Sequence, residues 1–168
     1  MRRCAKCGAE HELLDPTFSR PEPYVRLAHD LRDSHARADD DTCRVSLPGS
    51  EPRYFVRGVL PVSVVGHSDG IWWGVWAEVL EASFRRILDL WSEPNQSSEP
   101  PMHGQLANVI PSYPDTLGLP LAIRLTGPAS RPEFRFKASA GHPFVSECEA
   151  GVDAHRAAQW NELIDRAQ

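Results

Sequence analysis

The residues best suited to chemistry stand at the start of the chain. Cys4 and Cys7 form a C-x2-C pair with Gly8 directly behind it, and His11 follows. In such a knuckle the turn lets two thiolates converge on one ion while backbone N–H groups point at the sulfurs. A structural zinc ion takes four ligands. His11 and Cys43 are the nearest candidates to complete the set, with Cys148 in reserve. Disulfide or redox chemistry would need an oxidising compartment or a thioredoxin-like βαβ context, which the surrounding pattern does not offer.

A second group could bind a ligand. Arg57 lies in a hydrophobic strand, where an unpaired guanidinium is costly, so it either pairs with Glu78 across a hairpin or serves an anion near Trp72 and Trp76. Tyr113, Asp115, Arg131 and His142 are polar residues in predicted loops, where binding groups concentrate. Gly66-His67-Ser68-Asp69-Gly70 matches the nucleophile-elbow pattern G-x-S-x-G. That elbow belongs to a strand-to-helix turn, whereas this segment joins two predicted strands and reads as a hairpin turn.

The elements that must position these groups centre on Tyr54 to Trp91. Tyr54–Val65 and Ile71–Val79 are β-branched and aromatic runs joined by a short polar turn. In the second run Trp73, Val75, Ala77 and Val79 share one face, and Trp72, Gly74, Trp76 and Glu78 share the other. The period then changes: Phe84, Ile87, Leu88 and Trp91 form one helical stripe. Upstream, the spacing of Tyr24, Leu27, Leu31 and His35 predicts a helix over Pro21–Ala38, stopped by Asp39-Asp40-Asp41. Downstream come a short strand over Gln105–Ile110 and a strictly alternating run over Leu117–Leu125. A strand with Phe134 and Phe136 inward follows, then a last helix capped by Asp153 that buries Ala157, Trp160 and Ile164.

These elements predict an α+β fold: a mainly antiparallel sheet of about five strands, flanking helices and an N-terminal zinc knuckle. The chain reads as one domain, with a knuckle-and-helix segment (1–45) packed on a sheet-and-helix core (53–168). Its 168 residues, 41% hydrophobic and 24% charged, are ordinary for a globular domain. A net charge of −5 without a basic cluster argues against nucleic acid. No apolar run approaches the ~20 residues of a membrane span, and the basic opening has no apolar h-region behind it, so a cytoplasmic location is expected.

Taken together, the motifs resemble the bacterial DUF2199 family, a domain of unknown function. The resemblance rests on CAKCGAEH, DDTCRV, YFVRGVLPV, WWGVWAEVLEASF, YPDTLGL, RPEF and GHPF, in that order from Cys4 to Val152. It implies Cys4, Cys7 and Cys43 as a ligand set with His11 as its completion, and it brings no reaction. The chain departs from the family pattern over Met102–Leu106, and at Ser112, where the family carries glycine. Two classes of function follow. One is a non-catalytic, zinc-stapled protein-binding module, for example an immunity-type protein whose partner is a basic toxin domain. The alternative is a small hydrolase-like enzyme with a loop-lined polar cleft using Arg57, Asp115 and His142.

Overall fold

The computed structural model describes residue 4, residues 6–137 and residues 141–167; Met1–Arg3 of the basic opening segment lie outside it. The fold is α+β, and its sheet is a closed barrel. Seven strands run β1 (Ala36–Ala38), β2 (Thr42–Val45), β3 (Arg53–Val64), β4 (His67–Val79), β5 (Met102–Leu106), β6 (Pro120–Arg124) and β7 (Glu133–Phe136). Each is antiparallel to the next, and a parallel bridge between Val59 of β3 and Glu133 of β7 closes β3 to β7 into the barrel. The short strands β1 and β2 extend the sheet beyond β3.

The alternation read in the sequence sets the barrel's two faces. Ile71, Trp73, Val75, Ala77 and Val79 point inward with Val56, Leu60, Val62, Leu121, Ile123 and Phe134. Gly58 faces this interior because nothing larger fits: a Cβ there would lie 2.3 Å from the buried Phe134 ring. Trp76 and Phe55 point outward yet are fully buried, since Cys43, Val45 and an N-terminal strap cover them. The strap runs along β4: Gly74 N–H donates to Pro16 O at 2.8 Å, and Phe18 N–H donates to Gly74 O at 2.9 Å. Asn108, buried at 1% exposure, ties the strap down by accepting from Trp76 N–H (2.7 Å) and donating to Arg20 O (3.0 Å).

Helix α3 (Glu81–Leu90) buries Phe84 and Ile87 as its stripe predicts, while Leu88 stays exposed. Helix α4 (Pro143–Ala150) begins at a cap from His142, and α5 (Ala154–Ala167) begins at Asp153, whose Oδ1 accepts from Arg156 N–H at 2.8 Å. Four expectations are corrected. The helix over 21–38 is two short pieces, α1 (Glu22–Val25) and α2 (His29–His35), because Ala28 is extended and the chain from Ala36 pairs with β2. The hairpin turns at Val65-Gly66, so His67–Gly70 belongs to β4, with a register shift between Val62 and Val64. Glu78 lies opposite Phe55 and pairs with Arg53 at 2.6 Å, so Arg57 is left opposite Trp76. The strand placed at Gln105–Ile110 runs instead over Met102–Leu106. Ser112 adopts φ +66°, in the left-handed region that favours glycine.

Candidate metal centre

The chain's opening folds as a knuckle. Cys4 N–H donates to Ala9 O at 2.7 Å and Gly8 N–H to Cys4 O at 2.8 Å, with Gly8 at φ +73° providing the turn. Backbone N–H groups of Cys7 and Lys6 aim at the Cys4 sulfur and lower its pKa below the ordinary thiol value, against the opposing effect of burial. Hydrogen bonds to the charged form are what a metal-ready thiolate needs. His11 follows within reach, its Nε2 3.1 Å from Cys7 Sγ.

The fourth member comes from the far end of the chain. Donor atoms of Cys4, Cys7, His11 and His155 all lie within 4.8 Å of one another, close enough to hold a metal ion. The His11 and His155 rings meet edge to face, 5.4 Å apart at 74°. His155 Nδ1 is buried and has no hydrogen-bond partner among the described residues, while Nε2 lies 3.2 Å from the Gln159 amide. A buried, unpaired imidazole nitrogen beside two thiols is costly as it stands and is accounted for if it is a metal donor.

His155 is aimed by its neighbours. It sits in the first turn of α5, behind the Asp153 cap. The next residue, Arg156, is locked: its Nε donates to Glu147 Oε1 at 2.8 Å and its Nη2 to Tyr113 OH at 2.8 Å. Tyr113 OH also accepts from Trp160 Nε1 at 2.7 Å and itself donates to Glu147 Oε2. Burial, helped by the bond to Glu147, pushes the Tyr113 phenol well above its ordinary pKa. Tyr113 is therefore a half-buried hub that fixes α5 on α4, rather than a loop group awaiting a ligand.

The remaining sequence candidates lie in separate places. Cys43 is not among the four clustered donors. It is 1% exposed against Phe55 and Trp76, and burial pushes its thiol up to about 12. Cys148 is likewise driven upward by burial. Trp76 is fully buried, while Trp72 is exposed and its backbone N–H donates to Asp15 Oδ1 at 2.7 Å. Arg57 lies over the Trp76 ring at 6.0 Å and donates to Asp40 O at 3.2 Å. Arg131 pairs with Asp41 at 2.7 Å. Asp115 accepts from Leu117 N–H at 3.0 Å as a turn residue, and His142 Nδ1 accepts from Phe144 N–H at 3.2 Å. Ser68 Oγ meets its neighbour Asp69 at 3.2 Å.

Sequence reasoning missed His155 and Arg156. No spacing rule links a histidine in the last helix to a knuckle at the first residues. The one local signal was Asp153 as a helix cap, which places His155 and Arg156 in an ordered first turn. Among the described residues, no helix is long and apolar enough to cross a membrane. No curated protein and no solved structure matches the chain. The bacterial family pattern, which starts beside the knuckle and stops three residues before His155, does match it. Over residues 3–152 the chain fits the family described as an uncharacterized protein conserved in bacteria, DUF2199, and it belongs to that family.

Proposed function

We propose that the protein is a non-catalytic module whose fold is stapled by a structural zinc ion and whose task is to bind another protein. The observation that carries the reading is the convergence of Cys4, Cys7, His11 and His155 within 4.8 Å. Two thiolates with two imidazoles are a donor set zinc takes in closed tetrahedral sites, and thiolates disfavour magnesium and calcium. Four protein donors leave no coordination position for a reacting water, so the ion's role is to join the knuckle to the start of α5.

The non-catalytic half is supported by the separation of the candidate groups. Arg57 sits on the outer barrel wall, Asp115 in a turn and His142 at a helix cap, apart from one another; Arg57 and His142 each make one local bond and leave Nε and Nε2, respectively, without one among the described residues. The buried Cys43 thiol and the half-buried Cys148 thiol are both held protonated and are poor nucleophiles. The acidic run offers a basic toxin little: Asp39 accepts from Asp41 and Thr42 N–H groups, and Asp41 is taken by Arg131. A protein partner is therefore sought on another surface.

The test is elemental analysis of the purified chain with His155→Ala beside it. One zinc per wild-type chain, and a substoichiometric, easily chelated ion in the variant, are expected. Less than half an equivalent in wild type overturns the zinc reading. Turnover of a small metabolite by the zinc-loaded protein overturns the non-catalytic one.

A further inference from the structure

Two of the chain's four cysteines stand apart from the others. Cys43 is 1% exposed among Phe55, Trp76 and Ala107, and Cys148 is half-buried on α4. Neither belongs to the donor cluster that holds Cys4 and Cys7. Oxidation follows thiolate character and exposure, so an oxidant reaching the protein meets the knuckle pair first.

That pair is unequal. Cys7 is exposed, Cys4 is buried at 8% exposure, and their Sγ atoms lie within 4.8 Å of each other. An exposed sulfur is open to attack from solvent, and a sheltered one beside it is placed to resolve the product. A disulfide needs an S–S separation of about 2.05 Å, and C-x2-C is a spacing at which the bond forms. The knuckle's backbone bonds, Cys4 N–H to Ala9 O and Gly8 N–H to Cys4 O, keep both side chains on one loop while the sulfurs close.

We infer that Cys4 and Cys7 are an oxidation site for a hypohalous acid, and that closing their disulfide releases the metal staple. The inference rests on the zinc reading above and adds to it the regulation of that site. A zinc-bound thiolate shares its electron pair with the ion, so attack on it takes an electrophile stronger than an alkylating agent. The Cys7 thiolate attacks the chlorine of hypochlorous acid: an S–Cl bond forms, the Cl–O bond breaks, and the hydroxide takes up a proton to leave as water. The Cys4 thiolate then attacks the Cys7 sulfur, the S–S bond forms, the S–Cl bond breaks and chloride leaves. Two electrons pass from the sulfurs to chlorine. The disulfide no longer carries the thiolate charge that makes a ligand, and two imidazoles alone are half of a closed zinc site.

The release is local. Trp160 keeps α5 in the core, and Arg156 keeps its bonds to Glu147 and Tyr113. The strap resumes at Leu14, whose O accepts from Asn161 Nδ2 at 3.0 Å. What loses its anchor is the knuckle, with the contact of the His11 ring on His155.

The test titrates the zinc-loaded full chain with hypochlorous acid up to one equivalent, followed by intact and peptide mass and a chromogenic zinc indicator. Loss of two hydrogens, mapped to a Cys4–Cys7 disulfide, is expected, with zinc appearing in step and both reversed by dithiothreitol and added zinc. Cys43→Val and Cys148→Ala should behave as wild type. Backbone amide shifts should gather at the knuckle and around His155, leaving β3 and β4 in place. A disulfide that includes Cys43 or Cys148, a Cys7 sulfinic or sulfonic acid without a disulfide, oxidation confined to methionine or tryptophan, or a disulfide that leaves zinc bound overturns the inference and spares the zinc reading. A chain that carries no zinc before the oxidant is added overturns the zinc reading, and the inference with it.

Discussion

Cys4 and Cys43 are both buried sulfurs, and their surroundings drive them in opposite directions. Around Cys4, backbone N–H groups of a tight turn favour the thiolate, and another thiol and two imidazoles stand within 4.8 Å. Around Cys43 there are Phe55, Trp76 and aliphatic side chains, and burial raises the thiol to about 12. Burial alone does not make a ligand; donors aimed at the charged form do. The same contrast separates two regions of the molecule. The barrel is held by apolar contact among many residues, whereas the junction of the chain's two ends is held by a few polar groups converging on one point.

The largest expected effect belongs to the barrel. Phe134 is fully buried and its ring lies under Gly58, so Phe134→Ala should cost about 3–5 kcal/mol of global stability in urea denaturation. Chelation of zinc should act differently, loosening the knuckle and the first turn of α5 while amide protection in β3 and β4 persists. Equal loss of protection in both regions would erase the distinction drawn here. Alkylation sharpens it further. At neutral pH iodoacetamide should label none of the four thiols in the zinc-loaded chain, and only Cys4 and Cys7 after chelation. Labelling of Cys43 alongside them would place it in the same site.

A smaller effect should appear at alkaline pH. The folded Cys43 pKa stands near 12 against 9.0 ordinarily, so its proton is held more tightly in the folded chain. That contribution is whole below about pH 9 and is lost as the pH climbs toward 12, because the unfolded chain deprotonates first. Cys43→Val should therefore show a shallower alkaline fall in stability than wild type; an identical slope would deny the thiol's burial.

The smallest effect concerns what aims His155. Tyr113→Phe keeps the ring but strips Trp160 Nε1 of its acceptor and Arg156 of one partner. A loss of about 1–3 kcal/mol is expected from leaving a buried donor unsatisfied, with a several-fold weaker hold on zinc in chelator competition. Unchanged zinc affinity would mean that α5 is positioned without this hub.

Much of the barrel was legible because its signals are local. The period-two run of β4, the Phe84–Ile87 stripe and the β6–β7 pairing all depend on neighbours in sequence. What was not legible is non-local. The β3–β7 bridge that closes the sheet joins strands separated by most of the core. The helix expected over 21–38 was overridden when Ala36–Ala38 found a partner in β2. Arg57 and Glu78 looked like natural partners until the register set Glu78 opposite Phe55, beside Arg53. Cys43 entered the expected metal set as a nearby cysteine and through the family resemblance; the fold places it in an apolar cluster apart from the four grouped donors. His155 was overlooked because only the docking of α5 brings it to the knuckle.

The central claim is that His155, not Cys43, completes a closed Cys2His2 zinc centre. X-ray absorption at the zinc edge of the purified wild-type chain tests it most directly, because sulfur and nitrogen donors differ in distance, about 2.3 Å against about 2.0–2.1 Å. The account predicts two sulfurs and two imidazole nitrogens, unchanged in Cys43→Val and reduced by one nitrogen in His155→Ala. Three sulfurs with one nitrogen, or an oxygen from water in the wild-type shell, would contradict it.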